Sequence, residues 1–144
     1  MKENNIIALA SRLTEKAHKL IIRELEARGI NGIVPSHGGI LLQLFSGETY
    51  TMKELAEKIY RTKPTVTVLI DKLVSLGYVT KEKSSEDSRN TWIRLTKKGE
   101  ELKPSFIEIS AVVNAIVYRG IKKEEAEVIT RCLKKVLSNL NEDV

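Results

Sequence analysis

The chain has 144 residues, 42% of them apolar and 30% charged, with 24 Lys and Arg against 19 Asp and Glu and a formal charge of +5. A chain of this size can bury a core, which excludes extensive disorder, and no apolar stretch approaches the ~20 residues of a membrane-spanning helix, so no membrane partner is expected. The single cysteine excludes an internal disulfide, the two histidines are joined by no Cys/His/Asp cluster at metal-ligand spacing, and residues 1–20 are too polar for a signal peptide, which predicts a cytoplasmic protein.

Apolar residues at Ile6, Leu9, Ala10, Leu13, Ala17, Leu20, Ile21 and Leu25 recur every three or four positions with charged residues opposite. This spacing predicts a helix from Ile6 to about Arg28, ended by Gly29. Ser36 is expected to cap a short second helix carrying Ile40, Leu41, Leu44 and Phe45. Thr51 and Glu54 have the spacing of a capping box and start a third helix through Leu55, Ala56 and Ile59. Thr62 then caps a fourth, with Pro64 in its first turn, Val66, Leu69, Ile70, Leu73 and Leu76 inward, and Gly77 at its close. Two helices joined so tightly form a helix-turn-helix. From residue 78 the period shortens, and segments 78–83 and 91–96 read as a hairpin with a polar tip at 84–90, Ile93 and Leu95 on one face and Trp92 and Arg94 on the other. Thr96 caps again, and helical spacing resumes through Leu102, Phe106, Ile109, Val113, Ile116 and Val117, then past Gly120 through Val128, Ile129, Leu133, Val136, Leu137 and Leu140.

The expected fold is mostly α with a small β-hairpin wing (α+β): a winged helix-turn-helix lobe over 35–100 with its wing at 78–96, flanked by helices at 1–30 and 103–144. The flanking apolar faces are too wide to cover against one small lobe, so they are read as dimerisation helices and the whole of 1–144 as a single domain. Double-stranded DNA is the partner such a lobe fits, because a helix enters the major groove and a hairpin beside it reaches the minor groove. Between Lys58 and Lys98 ten basic residues face four acidic ones, so the basic surplus coincides with the proposed surface. The DNA-contacting residues read from it are Arg61, Thr62, Lys63, Pro64, Thr65, Thr67, Val68 and Lys72 around the fourth helix, with Lys83 and Arg94 on the hairpin. Thr65 and Thr67 suit phosphates or base edges, Val68 a thymine methyl, and Lys63 and Lys72 phosphates.

The helix-turn-helix over 51–76, the Leu-Gly-Tyr-Val at 76–79, Asp87-Ser88-Arg89, and Ile93-Arg94-Leu95-Thr96-Lys97-Lys98-Gly99 together resemble the MarR family of transcription regulators. The Asp-x-Arg is similar to that family's wing, and the Leu-Thr-x-x-Gly to its lead into the next helix. The resemblance implies a homodimer with interlocking terminal helices, a ligand-responsive repressor of a pseudo-palindromic operator, Arg89 in the minor groove and Asp87 orienting it. It also implies a small-molecule effector between the dimerising helices and the DNA-binding lobe, with His37 as a candidate lining residue. Val68 stands where the family often has a basic residue, and Tyr60 where a turn glycine is common. Cys132 lies late in the chain and reads as a packing residue.

No phosphate loop, nucleophile elbow or Cys–His pair appears, so the chain is not expected to be an enzyme, and no catalytic residue, metal or cofactor is assigned. The rival reading is a winged-helix protein-protein interaction module without DNA binding, since this fold does not dictate its partner. An RNA reader is disfavoured by the narrow major groove of A-form helices.

Overall fold

The computed structural model describes residues 5–84, 86 and 90–143. In chain order the elements are α1 (Ile6–Ala27), α2 (Pro35–Leu44), β1 (Tyr50–Thr51), α3 (Met52–Lys58), α4 (Lys63–Ser75), β2 (Val79–Lys83), β3 (Thr91–Leu95), α5 (Lys97–Glu100), α6 (Lys103–Val117) and α7 (Lys123–Asp143). They fall into two compact units, divided within α6 between Ser110 and Ala111. α3, α4 and α5 begin at a threonine cap and α2 at a proline, while the turns after α1, α2, α3, α4 and α6 each contain a left-handed residue.

In the first unit the core is built by α2, α3, α4 and the inner face of the sheet. Ile40, Leu41, Leu44, Leu55, Val66, Ile70, Leu73, Val79 and Ile93 are all buried. Leu25 of α1 and Phe106 and Ile109 of α6 join the buried set, and Phe106 meets Phe45 edge to face at 5.4 Å between ring centroids. Arg28, just past α1, bonds Glu24 at 2.8 Å and Glu108 of α6 at 3.2 Å. The sheet has the order β1-β3-β2, antiparallel throughout, with Tyr50 opposite Ile93 and Lys81 opposite Ile93 on the other side. β1 is an addition to the expected hairpin, and at two residues it is too short to leave a periodic signal.

Two expected helix boundaries need correction. Ser36 does not cap α2: the helix starts at Pro35, and the cap position is Val34, whose N–H donates to Nδ1 of His37 at 2.9 Å. The imidazole three residues on does what a capping-box side chain does, while proline fits the first helical position because its missing N–H would be unpaired there anyway. The helix after the wing is also not continuous. Thr96 caps only the single turn of α5, its Oγ1 accepting from Gly99 N–H at 3.1 Å, before α6 begins. Pro104 lacks an N–H and its ring would clash with the carbonyl of Glu100, which disfavours an unbroken helix by about 3 kcal/mol.

Tyr60, between α3 and α4, has φ +58°, and is the one non-glycine residue with positive φ among those described. An L side chain in that region costs on the order of 1–3 kcal/mol.

In the second unit, the end of α6 and α7 leave Ile116, Val117, Val128, Ile129, Leu133, Leu137 and Leu140 exposed within the single chain. α1, in the first unit, likewise exposes Ile7, Leu9 and Leu13. Cys132, read from sequence as a packing residue, is exposed on α7 within the single chain.

Candidate nucleic-acid interface

The start of α4 is set by two caps in succession. Thr51 and Glu54 form the expected reciprocal box on α3, with Glu54 N–H donating to Thr51 Oγ1 at 3.1 Å and Thr51 N–H to Glu54 Oε2 at 3.2 Å. After the Tyr60 turn, Thr62 Oγ1 accepts from Thr65 N–H at 3.4 Å and donates to Thr65 Oγ1 at 3.0 Å. With Val66, Ile70 and Leu73 buried, the opposite face of α4 is turned outward: Lys63, Pro64, Thr65, Val68, Asp71 and Lys72 are exposed, and Val68 retains 70% of its surface. Thr67 is half-buried and its hydroxyl donates to Lys63 O at 2.9 Å, which leaves its oxygen as an acceptor. Leu69 and Leu76, expected inside, are half-buried. Arg61 is exposed and its guanidinium reaches Ser36 Oγ at 3.3 Å.

The C-terminus of α4 is held by residues from beyond the wing. Gly77 has φ +84° and carries the turn out of the helix. Thr96 Oγ1 donates to Gly77 O at 2.6 Å, Thr96 N–H donates to Tyr78 O at 3.0 Å, and Lys98 Nζ donates to Leu76 O at 2.8 Å. The same ammonium lies 5.0 Å from the Tyr78 ring centroid. Gly99 completes the clasp: a Cβ there would overlap the Tyr78 carbonyl oxygen and approach Leu95 Cδ2 to 2.9 Å. A second link, Lys81 Nζ to Asp71 Oδ1 at 2.7 Å, ties β2 to the outer face of α4. None of Lys81, Lys98 or Gly99 was among the site residues read from sequence. The Leu-Thr-x-x-Gly signal marked the segment but not the contact it makes, which needs residues some twenty positions apart.

On the wing, Lys83 and Arg94 are both exposed but lie on opposite faces. Register places Lys81 and Lys83 with Ile93 on one side of the ribbon and Arg94 with Trp92 on the other. Asp87 and Arg89 lie outside the described residues.

His37 is 7% exposed, and its Nδ1 is taken by Val34 N–H. Burial, and secondarily the positive charge of Lys72, push its pKa below the ordinary histidine range. The imidazole is therefore neutral at pH 7, with Nδ1 as acceptor and the proton on Nε2. Among the described residues no three His, Cys, Asp or Glu side chains gather as a metal would require, and no helix is long and apolar enough to cross a membrane.

A family model described as MarR family matches residues 35–91, the span from α2 to the start of β3. The HTH-type transcriptional regulator SarZ of Staphylococcus haemolyticus is 31% identical over 100 residues, covering 69% of this chain and 67% of SarZ. The chain belongs to the MarR family. Another relative, the organic hydroperoxide resistance transcriptional regulator of Bacillus subtilis, is 28% identical over 137 residues, which are 95% of this chain and 85% of that one. Among solved structures, a mutant MarR from E. coli complexed with operator DNA superposes with a TM-score of 0.78 at 20% identity, over 93% of this chain and 94% of the other. That likeness is one of fold, in agreement with the helix-turn-helix and three-stranded sheet described above.

Proposed function

We propose that this MarR-family chain is a transcription regulator that binds double-stranded DNA as a homodimer, each protomer placing α4 in the major groove and its wing against the adjacent minor groove. One observation carries the reading: the exposed face of α4 from Lys63 to Lys72 and the base of the wing belong to one unit, joined through Thr96, Lys98 and Gly99. In this reading Thr65, Thr67 and Val68 meet base edges or phosphates, while Arg61, Thr62, Lys63, Pro64 and Lys72 line the approach to the backbone. Lys83, Arg94 and Arg89, with Asp87 orienting Arg89, belong to the wing's share of the interface. The E. coli MarR that shares the fold was crystallised with operator DNA, which supports the same partner here.

The homodimer is supported by the exposed apolar residues of α1 and of α7, which a second copy would cover. A twofold pair sets two α4 helices about 34 Å apart and so reads a pseudo-palindrome. The regulator acts as a repressor in the cytoplasm, where the DNA is, and carries out no catalysis. A small-molecule effector, for which His37 is a candidate neighbour, would act by preferring one spacing of the two lobes over the other. Titration onto random duplex at 50 and 200 mM salt tests the partner. With roughly 6 to 10 phosphate contacts per pair, affinity falls ~10³- to 10⁵-fold between those conditions. A protein-protein interaction module would leave the duplex unretarded at either.

A further inference from the structure

The left-handed residues that follow α1, α2, α4 and α6 are Gly29, Gly47, Gly77 and Gly120, whereas the one that follows α3 is Tyr60. Its geometry is otherwise the usual one: Tyr60 N–H donates to Glu57 O at 3.4 Å and Arg61 N–H to Ala56 O at 3.0 Å, the paired bonds of a Schellman stop. Glycine would make this turn with no strain. Nor does the side chain compensate fully inside the fold, because it is 68% exposed and, among the described residues, its hydroxyl has no hydrogen-bond partner. Most of the side chain is left uncovered by the chain itself, so intramolecular packing offsets only part of the strain. The place is the turn of the helix-turn-helix, directly before Arg61 and two residues before the Thr62 cap of α4.

We propose that Tyr60 is a DNA-backbone contact, its phenolic O–H donating to a phosphate oxygen of the duplex on which α4 is seated. Tyrosine is suited to this: its O–H is a strong donor to an anionic oxygen, and its ring reaches farther than a serine or threonine at the same turn. The left-handed backbone aims Cβ away from the path it would take in a continued helix. With 68% of its surface exposed, the side chain is left accessible at the end of α3. The inference rests on the DNA-binding reading above.

The test compares the parent with Tyr60→Gly and Tyr60→Phe, by heat denaturation and by titration onto duplex DNA at fixed salt. Tyr60→Gly is expected to melt a few degrees higher than the parent and to bind duplex about tenfold more weakly. Tyr60→Phe, which keeps the ring and backbone, is expected to show most of the same loss of binding. Because tyrosine is uncharged, the slope of log affinity on log salt stays as in the parent for both. If the parent binds and Tyr60→Gly binds equally well, or if Tyr60→Phe matches the parent, Tyr60 is not the phosphate contact. A Tyr60→Gly protein less stable than the parent overturns the strain on which the inference stands. Failure of the parent itself to bind duplex overturns instead the DNA-binding reading.

Discussion

Lys98 Nζ donates to Leu76 O at 2.8 Å, so a cation from beyond the wing bonds the carbonyl of the C-cap residue of α4. A helix C-terminus carries partial negative charge and unpaired carbonyls, and an ammonium there answers both. The contact removes Lys98 from the pool of cations available to phosphates and makes it a positioning residue between α4 and the wing. Lys98→Met is therefore expected to weaken duplex binding several-fold while leaving the salt slope unchanged. Lys72→Met, which removes an exposed cation of α4, is expected to lower the slope by about one. Titrations across a salt series measure both. A reduced slope for Lys98→Met would put that ammonium on DNA.

Gly99 is a matter of space rather than backbone freedom. A methyl group at this position overlaps the Tyr78 carbonyl oxygen, a backbone atom that cannot rotate away. Gly99→Ala should destabilise the fold by roughly 1–3 kcal/mol, the usual range for forcing atoms into a filled site. Urea denaturation measures it, and an unchanged midpoint would mean the α5 turn can slide without loss.

His37 predicts an acid-side loss of stability. Its folded-state pKa lies below the ordinary 6.5, because burial and then Lys72 disfavour the imidazolium. The unfolded chain therefore binds the proton more readily. The stabilisation is complete above pH 6.5 and is lost as pH falls below 6.5 toward the folded-state pKa. Protonation also removes the Nδ1 acceptor that holds Val34 N–H. His37→Gln keeps an acceptor three residues past the cap position without a titrating group. The difference in unfolding free energy between parent and variant should vary with pH below 6.5 and be constant above it. A constant difference across pH 5 to 8 would contradict the assignment.

Arg89 is expected to read the minor groove by the family resemblance of its Asp-x-Arg setting. Arg89→Ala should cost about 1–3 kcal/mol of operator binding with the melting temperature unchanged. Equal affinity of variant and parent in a titration would remove Arg89 from the interface.

Much of this was legible in the residues themselves. Thr51 with Glu54, Thr62 with Pro64, and Gly77 mark their helix boundaries by local chemistry, and the structure has α3 and α4 where those signals place them. The strands over 79–83 and 91–95 follow the change of period. What sequence reading missed depends on contacts between distant segments or on unusual use of a residue. No local rule makes a histidine the partner of a Val34 cap position, and β1 exists only because Tyr50 finds Ile93. The charge count treated Lys98 as one more cation, since nothing in Thr96-Lys97-Lys98-Gly99 tells which lysine turns back to Leu76. Pro104 did carry a signal for the break between α5 and α6, but the apolar spacing through Leu102 and Phe106 masked it.

Hydroxyl-radical footprinting of the bound duplex tests the paired reader most directly. Two protected patches on one face of the DNA, centred about one helical turn (~10 base pairs) apart and saturating at two chains per site, are the expected result. A single patch saturating at one chain, or a duplex cleaved evenly throughout, would contradict it.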